Sequence, residues 1–369
     1  MSRALFALCA ALALGAQDVP APQRDGALPV MPPAIPPEAA RDAAQAENEP
    51  AAVADEHETR LAELVARDPE RWTRRELART LAGSPVSLVT WNAARETTSR
   101  PTVLVCADGA DERASLDVLT ALVARSASDG ASADAWTSAT VCFLASRDGD
   151  RALVSAADYP EGWLPWTASA PYPLADPETR ALAQLLVERR EIATLVRLVP
   201  SRELARTAEP PQPGTLALFA ASHAGLRTVA VDAARTSEAV DAIVGAARAL
   251  PRLSVATSHV ERLRPNLWLV DVPLANVGLS ATAPDAGERW SALRVRMEAG
   301  GARVVSAALG RGNGVFRALP TGGPQLLGQL AAGEVVTVRW IVEAEEHAEF
   351  SLAFDAPRAG TVTVSVPLQ

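Results

Sequence analysis

Hydrophobic and polar positions alternate with two different periods along this chain, and the change falls near Pro251. Before it, helical stripes interleave with short, continuously apolar runs. Leu61, Leu64 and Val65 space a first helix, and Leu77 with Leu81 predict a second that stops at Gly83. Thr102 to Cys106 and Ala139 to Ala145 read as buried strands, with a helix from Glu112 to Arg125 between them that turns Leu116, Leu119, Leu122 and Val123 inward. Asp176 as cap and Pro177 at the first helical position open another helix. The apolar run Ile192 to Val199, a helix at Gly214 to Ala224, the strand Thr228 to Asp232 and a helix from Thr236 to Leu250 complete the set. Continuous apolar strands separated by amphipathic helices predict an α/β domain over residues 55–250, a mostly parallel sheet with helices on both faces.

After Pro251 the period becomes two, in Asn266 to Val272, Ala292 to Met297, Glu334 to Val342 and Thr361 to Val366. Turn signals stand at Gly300-Gly301, Gly312-Asn313-Gly314 and Gly322-Gly323-Pro324. Short alternating strands punctuated in this way predict an all-β sandwich over residues 252–369.

The first residues follow neither period. Arg3 precedes an apolar run from Ala4 to Ala16 that is too short to cross a bilayer, so residues 1–16 read as a secretory signal and the chain as secreted or periplasmic. Residues 17–54 carry eight prolines, from Pro20 to Pro50, among Ala, Asp, Glu and Gln, the composition of a disordered linker. No later run has the length of a transmembrane segment. Cys106 and Cys142 each sit in a strand-like run, which favours buried thiols over a disulfide.

Composition narrows the function. At 369 residues and 48% hydrophobic the chain has material for real cores, while its net charge is −9 and every one of its 35 basic residues is arginine. An acidic surface of this kind excludes nucleic acid as the expected partner. No Gly-x-Ser-x-Gly elbow, phosphate loop or Cys/His metal spacing is present.

Three stretches in order carry a resemblance. They are Ser146-Arg147-Asp148-Gly149 after a buried strand, then Ala156 to Trp163 followed by Pro173 to Arg180, then Gly214-Thr215-Leu216 through to Val229-Ala230-Val231-Asp232. Their order over roughly Ala54 to Leu250 resembles the zinc carboxypeptidase family, which implies its α/β fold. The family takes two zinc ligands from His-x-x-Glu and one from a later His, leaving a position open for water. At the first place this chain reads Gly109-Ala110-Asp111-Glu112, so Glu112 alone matches, and the later His falls near Val199. The family's general-base Glu aligns with Asp232, and its substrate-binding Arg aligns with Ala157. The resemblance therefore implies a scaffold without its zinc and without the bidentate clamp on a substrate carboxylate.

Asp108, Asp111, Glu112, Asp148 and Asp232 all follow strands, where ligands bind in open parallel sheets. They form a candidate binding cleft for a hard cation such as Ca²⁺ or a cationic peptide group, and Trp163 and Trp166 are candidates to wall it. The competing reading is a set of solvated loop carboxylates left from a lost site. The histidines His57, His223, His259 and His347 are scattered and read as solvated or structural, and Glu345, His347 and Glu349 are expected on one face of a strand. Two functions stay open: an exported inactive relative that binds a peptide or cell-envelope ligand with no cofactor, or a divergent peptidase or amidase that keeps zinc. A third makes the β module the working part.

Overall fold

The computed structural model describes residues 48–80, 83–91, 100–110, 112–128, 139–144, 174, 177–204, 215–222, 225–283, 292–299, 301–312 and 314–369. Its first sheet contains β1 (Trp72–Arg79), β2 (Pro85–Trp91), β3 (Thr102–Ala107), β4 (Thr140–Leu144), β5 (Ile192–Val199) and β6 (Arg227–Asp232), in the spatial order β1-β2-β4-β3-β5-β6. The β4, β3, β5 and β6 neighbours run parallel, whereas β1 and β2 join antiparallel at one side.

Every side chain of β3 and β4 is buried. Successive residues point to opposite faces of a strand, so these runs must be apolar throughout when both faces are covered. On one face, Val103, Val105, Val141 and Phe143 pack with α1 (Asn48–Ala66), α2 (Glu112–Ser128) and α6 (Thr236–Arg248). On the other, Leu104, Cys106, Cys142 and Leu144 pack with α3 (Pro177–Glu188) and α5 (Leu216–Ser222). Cys106 and Cys142 are buried free thiols, and burial raises both thiols well above their ordinary value, which leaves them unreactive.

The segment around Leu77 corrects the expected second helix. It is β1, an edge strand paired only with β2 among the described residues. Trp72 faces Trp91 across the ladder, and their rings meet edge-on at 6.5 Å, which anchors the strand more firmly than the spacing of Leu77 and Leu81 stabilises a helix. Leu81 itself lies outside the described residues.

From Leu253 onward every helix or strand among the described residues is a strand. One sheet orders β13 (Gln325–Gly328), β10 (Leu293–Ala299), β15 (Glu349–Ala356) and β16 (Gly360–Pro367). The other orders β12 (Phe316–Leu319), β11 (Arg303–Arg311), β14 (Val335–Glu343), β9 (Leu267–Asn276) and β7 (Leu253–Val255), with β8 (His259–Arg264) also on β9. Strict alternation in β9, β14 and β15 gives each sheet one apolar face, and these faces share a single core. Trp340 lies 6.5 Å from Phe354 there and donates its indole N–H to Gln325. Residues Glu345 and His347 lie in the turn between β14 and β15, with His347 at φ 67°, so the expected acidic strand face does not exist.

The α/β and β parts pack within one compact unit, Ala52–Gln369. Arg358, buried after β15, donates to the Gly225 carbonyl beside β6. No helix among the described residues is long and apolar enough to cross a membrane.

Candidate functional site

Strands β3, β5 and β6 end at the same side of the sheet because they run parallel. Val199, the last residue of β5, pairs in register with Asp232, the last residue of β6. Glu112 opens α2 shortly after β3. The three positions that the resemblance singles out therefore fall at one end of the sheet.

Glu112, Asp232 and Asp108 each already have a partner there. Glu112 Oε1 faces His57 Nδ1, brought in by α1, and both side chains are largely buried. Asp232 accepts from the Ser201 hydroxyl at 2.6 Å and from the Ala234 N–H at 3.0 Å, with the Arg235 guanidinium 3.5 Å away. Ser201 is placed by the short helix α4 (Ser201–Leu204) directly after β5. The Ser201 hydrogen bond, followed by the Ala234 N–H and Arg235, holds the Asp232 carboxyl below its ordinary value despite partial burial.

Asp108 behaves in the opposite way. It follows β3 in a turn that Gly109 completes at φ 75°, and it accepts from Arg197 Nη1 of β5 at 2.7 Å. Burial pushes its carboxyl up to about 6; Arg197 opposes that shift and the nearby Glu203 carboxylate adds to it. Asp108 and Asp232 stand two strands apart, about 10 Å by ordinary strand spacing, with Arg197 on the strand between them. Among the described residues Asp108, Glu112 and Asp232 each face a different partner, Arg197, His57 and Ser201. Asp111 and Asp148, and with them Trp163 and Trp166, lie outside the described residues.

A tetrahedral zinc needs three protein donors around one point. Among the described residues no three His, Cys, Asp or Glu side chains gather in this way. Glu112 is turned to a single imidazole, and Val199, the position that the resemblance gives the later ligand, is a buried hydrocarbon side chain, 2% exposed. The described donor set does not fit zinc.

Sequence reasoning missed His57, Arg197, Ser201 and Glu203. Arg197 carried a signal: a lone arginine in an otherwise apolar strand requires a buried carboxylate nearby. His57 carried none, since its partner is fixed only by how α1 packs beside α2. Of the other histidines, His259 is exposed on β8 and His223 lies outside the described residues.

A family model described as a domain of unknown function (DUF8731) matches residues 252–367. No curated protein matches the chain. Among solved structures, the chain is similar to carboxypeptidase A from Helicoverpa armigera at 12% identity, over 51% of this chain and 71% of that one, with a TM-score of 0.38. It is similar to a metallo-carboxypeptidase from Burkholderia cenocepacia at 14% identity, over 52% of this chain and 67% of that one, with a TM-score of 0.37. It is also similar to the archaellum periplasmic stator protein FlaG from Sulfolobus acidocaldarius at 14% identity, over 32% of this chain and all of that one, with a TM-score of 0.18. None of these likenesses is close enough to carry a residue's role across.

Proposed function

We propose that this chain is an exported, non-catalytic binding or assembly protein of the cell envelope, built on a carboxypeptidase-like α/β scaffold (55–250) followed by a β-sandwich (252–369). Residues 1–16 direct export, and the proline-rich linker, which ends where α1 begins at Asn48, tethers the folded part. One observation carries the reading: Glu112, the single position that keeps the family's ligand type, is engaged by His57 inside the protein. In that contact the carboxylate joins α1 to α2 and serves the scaffold. Asp232, at the position the resemblance gives the general base, is likewise held ionised by its own neighbours.

Hydrolysis of C-terminal-residue and peptidoglycan-peptide substrates by the full chain, compared with Glu112→Ala and Asp232→Ala, tests this. The expected result is no turnover above background in any of the three. Turnover by the parent that both variants abolish would overturn it.

A second reading, a divergent hydrolase, is favoured by Asp108. A carboxyl raised to about 6 beside an arginine is suited to general acid or base work near neutral pH. Turnover in the parent that is lost in Asp108→Asn, with a limb of the pH profile near 6, is the outcome that would select it.

A further inference from the structure

A groove of about 380 Å³ runs between α1 and β1, lined by Ala62, Val65 and Ala66 of the helix and by Arg74, Arg75 and Glu76 of the strand. It lies at the opposite side of the sheet from β6, and it exists whether or not the strand ends are catalytic. β1 is the outermost strand, so one row of its backbone N–H and C=O groups has no strand partner among the described residues. Its register with β2 is regular from Trp72 to Glu76 and shifts only beyond, between Glu76 and Ala78. The straight part of the edge therefore coincides with the residues that line the groove. The helix side presents only small or short side chains, which lets another backbone approach closely.

Charged edge strands often serve to repel other strands. Here the charges are mostly spent on internal contacts. Arg74 pairs with Glu58 of α1 and donates to the Ser87 hydroxyl of β2 at 3.0 Å, and Glu76 pairs with Arg79 at 2.8 Å. Of the three ionisable side chains in the lining, only Arg75 has no ion-pair partner among the described residues, and it is exposed. Among the described residues, what remains is an open backbone edge, a shallow apolar wall and one uncompensated cation.

We propose that this groove receives an extended, acidic segment of a partner protein, which adds to the sheet as a strand along β1. Main-chain hydrogen bonds to the edge supply affinity, and a carboxylate opposite Arg75 selects an acidic sequence.

The test uses the full chain and a fluorescein-labelled peptide of alternating glutamate and valine, followed by anisotropy at fixed salt. Saturable binding is expected, with amide hydrogen exchange slowed over residues 73–76 when the peptide is present. Arg75→Glu and Ala66→Trp, the second filling the groove, should each weaken binding at least about tenfold. Ala62→Trp repeats the second test, and thermal unfolding confirms that each variant is folded. The proposal is overturned by absence of saturable binding up to about 1 mM. Equal affinity for the corresponding lysine-valine peptide, or unchanged affinity in the folded variants, would also overturn it.

Discussion

His57 of α1 and Glu112 of α2 hold each other at the end of the sheet where β3, β5 and β6 finish, with side chains 3% and 15% exposed. The contact joins two helices on one face of the sheet and fixes the orientation of the carboxylate that the resemblance places at a ligand position. It makes that carboxylate part of the fold, so its removal should be felt in stability first.

Glu112→Ala and His57→Ala should each destabilise the chain by about 2 kcal/mol, because each leaves a buried polar partner unsatisfied. The double variant His57→Leu/Glu112→Leu, which removes both partners, should recover more than half of that loss. Urea midpoints for the four proteins measure the coupling directly. Additive losses would mean that the two side chains do not depend on each other.

Asp108 should give stability a distinct pH dependence. Its carboxyl is raised from 3.8 to about 6 in the folded protein, so the native state holds this proton to higher pH than the unfolded chain does. Its stabilising effect is fully present below about 4, is lost as pH rises to about 6, and stays lost above that; the total is on the order of 3 kcal/mol. Asp108→Asn should flatten the curve between those values.

Asp232 should act in the opposite sense and in a lower window. Its carboxyl is lowered chiefly by the Ser201 hydrogen bond, so its contribution is present above the ordinary aspartate value and disappears as pH falls through the lowered one. Ser201→Ala should reduce stability at neutral pH and weaken the fall on acidification below about 4. Urea midpoints from pH 3 to 7 separate the two aspartates.

How much of this was legible follows from what each element buries. β3 and β4 are covered on both faces and their continuous apolar runs announced them, and β5 was legible as an apolar run broken only by Thr194 and Arg197. β9 and β14 each turn one face to the β core, and their period of two was equally plain. β1 was not legible, because an edge strand with arginines on it offers little apolar pattern, and Leu77 and Leu81 mimic a helical stripe. β2 escaped notice although almost fully buried, since Ser87 and Thr90 interrupt its run. At the candidate site the acids Asp108, Glu112 and Asp232 were visible as residues that follow strands. Of their partners, Arg197 carried a signal as the lone cation of β5, whereas His57 and Ser201 reach them only through packing between distant segments.

The junction between the α/β and β parts depends on space rather than charge. A Cβ at Gly278 would stand 2.2 Å from the Leu250 carbonyl oxygen and 2.6 Å from Pro251 Cα, both backbone atoms that cannot step aside. Asn276, fully buried, holds the same corner by accepting from the Arg252 and Gly278 N–H groups and donating to the Ser280, Leu330 and Ala331 carbonyls. Gly278→Ala should cost more than about 2 kcal/mol, and Asn276→Ala a similar amount. Limited proteolysis near residue 251, faster in both variants than in the parent, is the accompanying readout.

The central claim is that the acids at the strand ends serve the fold and do not hold a catalytic metal. Metal analysis of the purified full chain, after brief exposure to zinc and desalting, tests it most directly. The account predicts much less than one zinc per chain, with no difference between the parent and Glu112→Ala. One tightly retained zinc per parent chain, lost in Glu112→Ala, would contradict it.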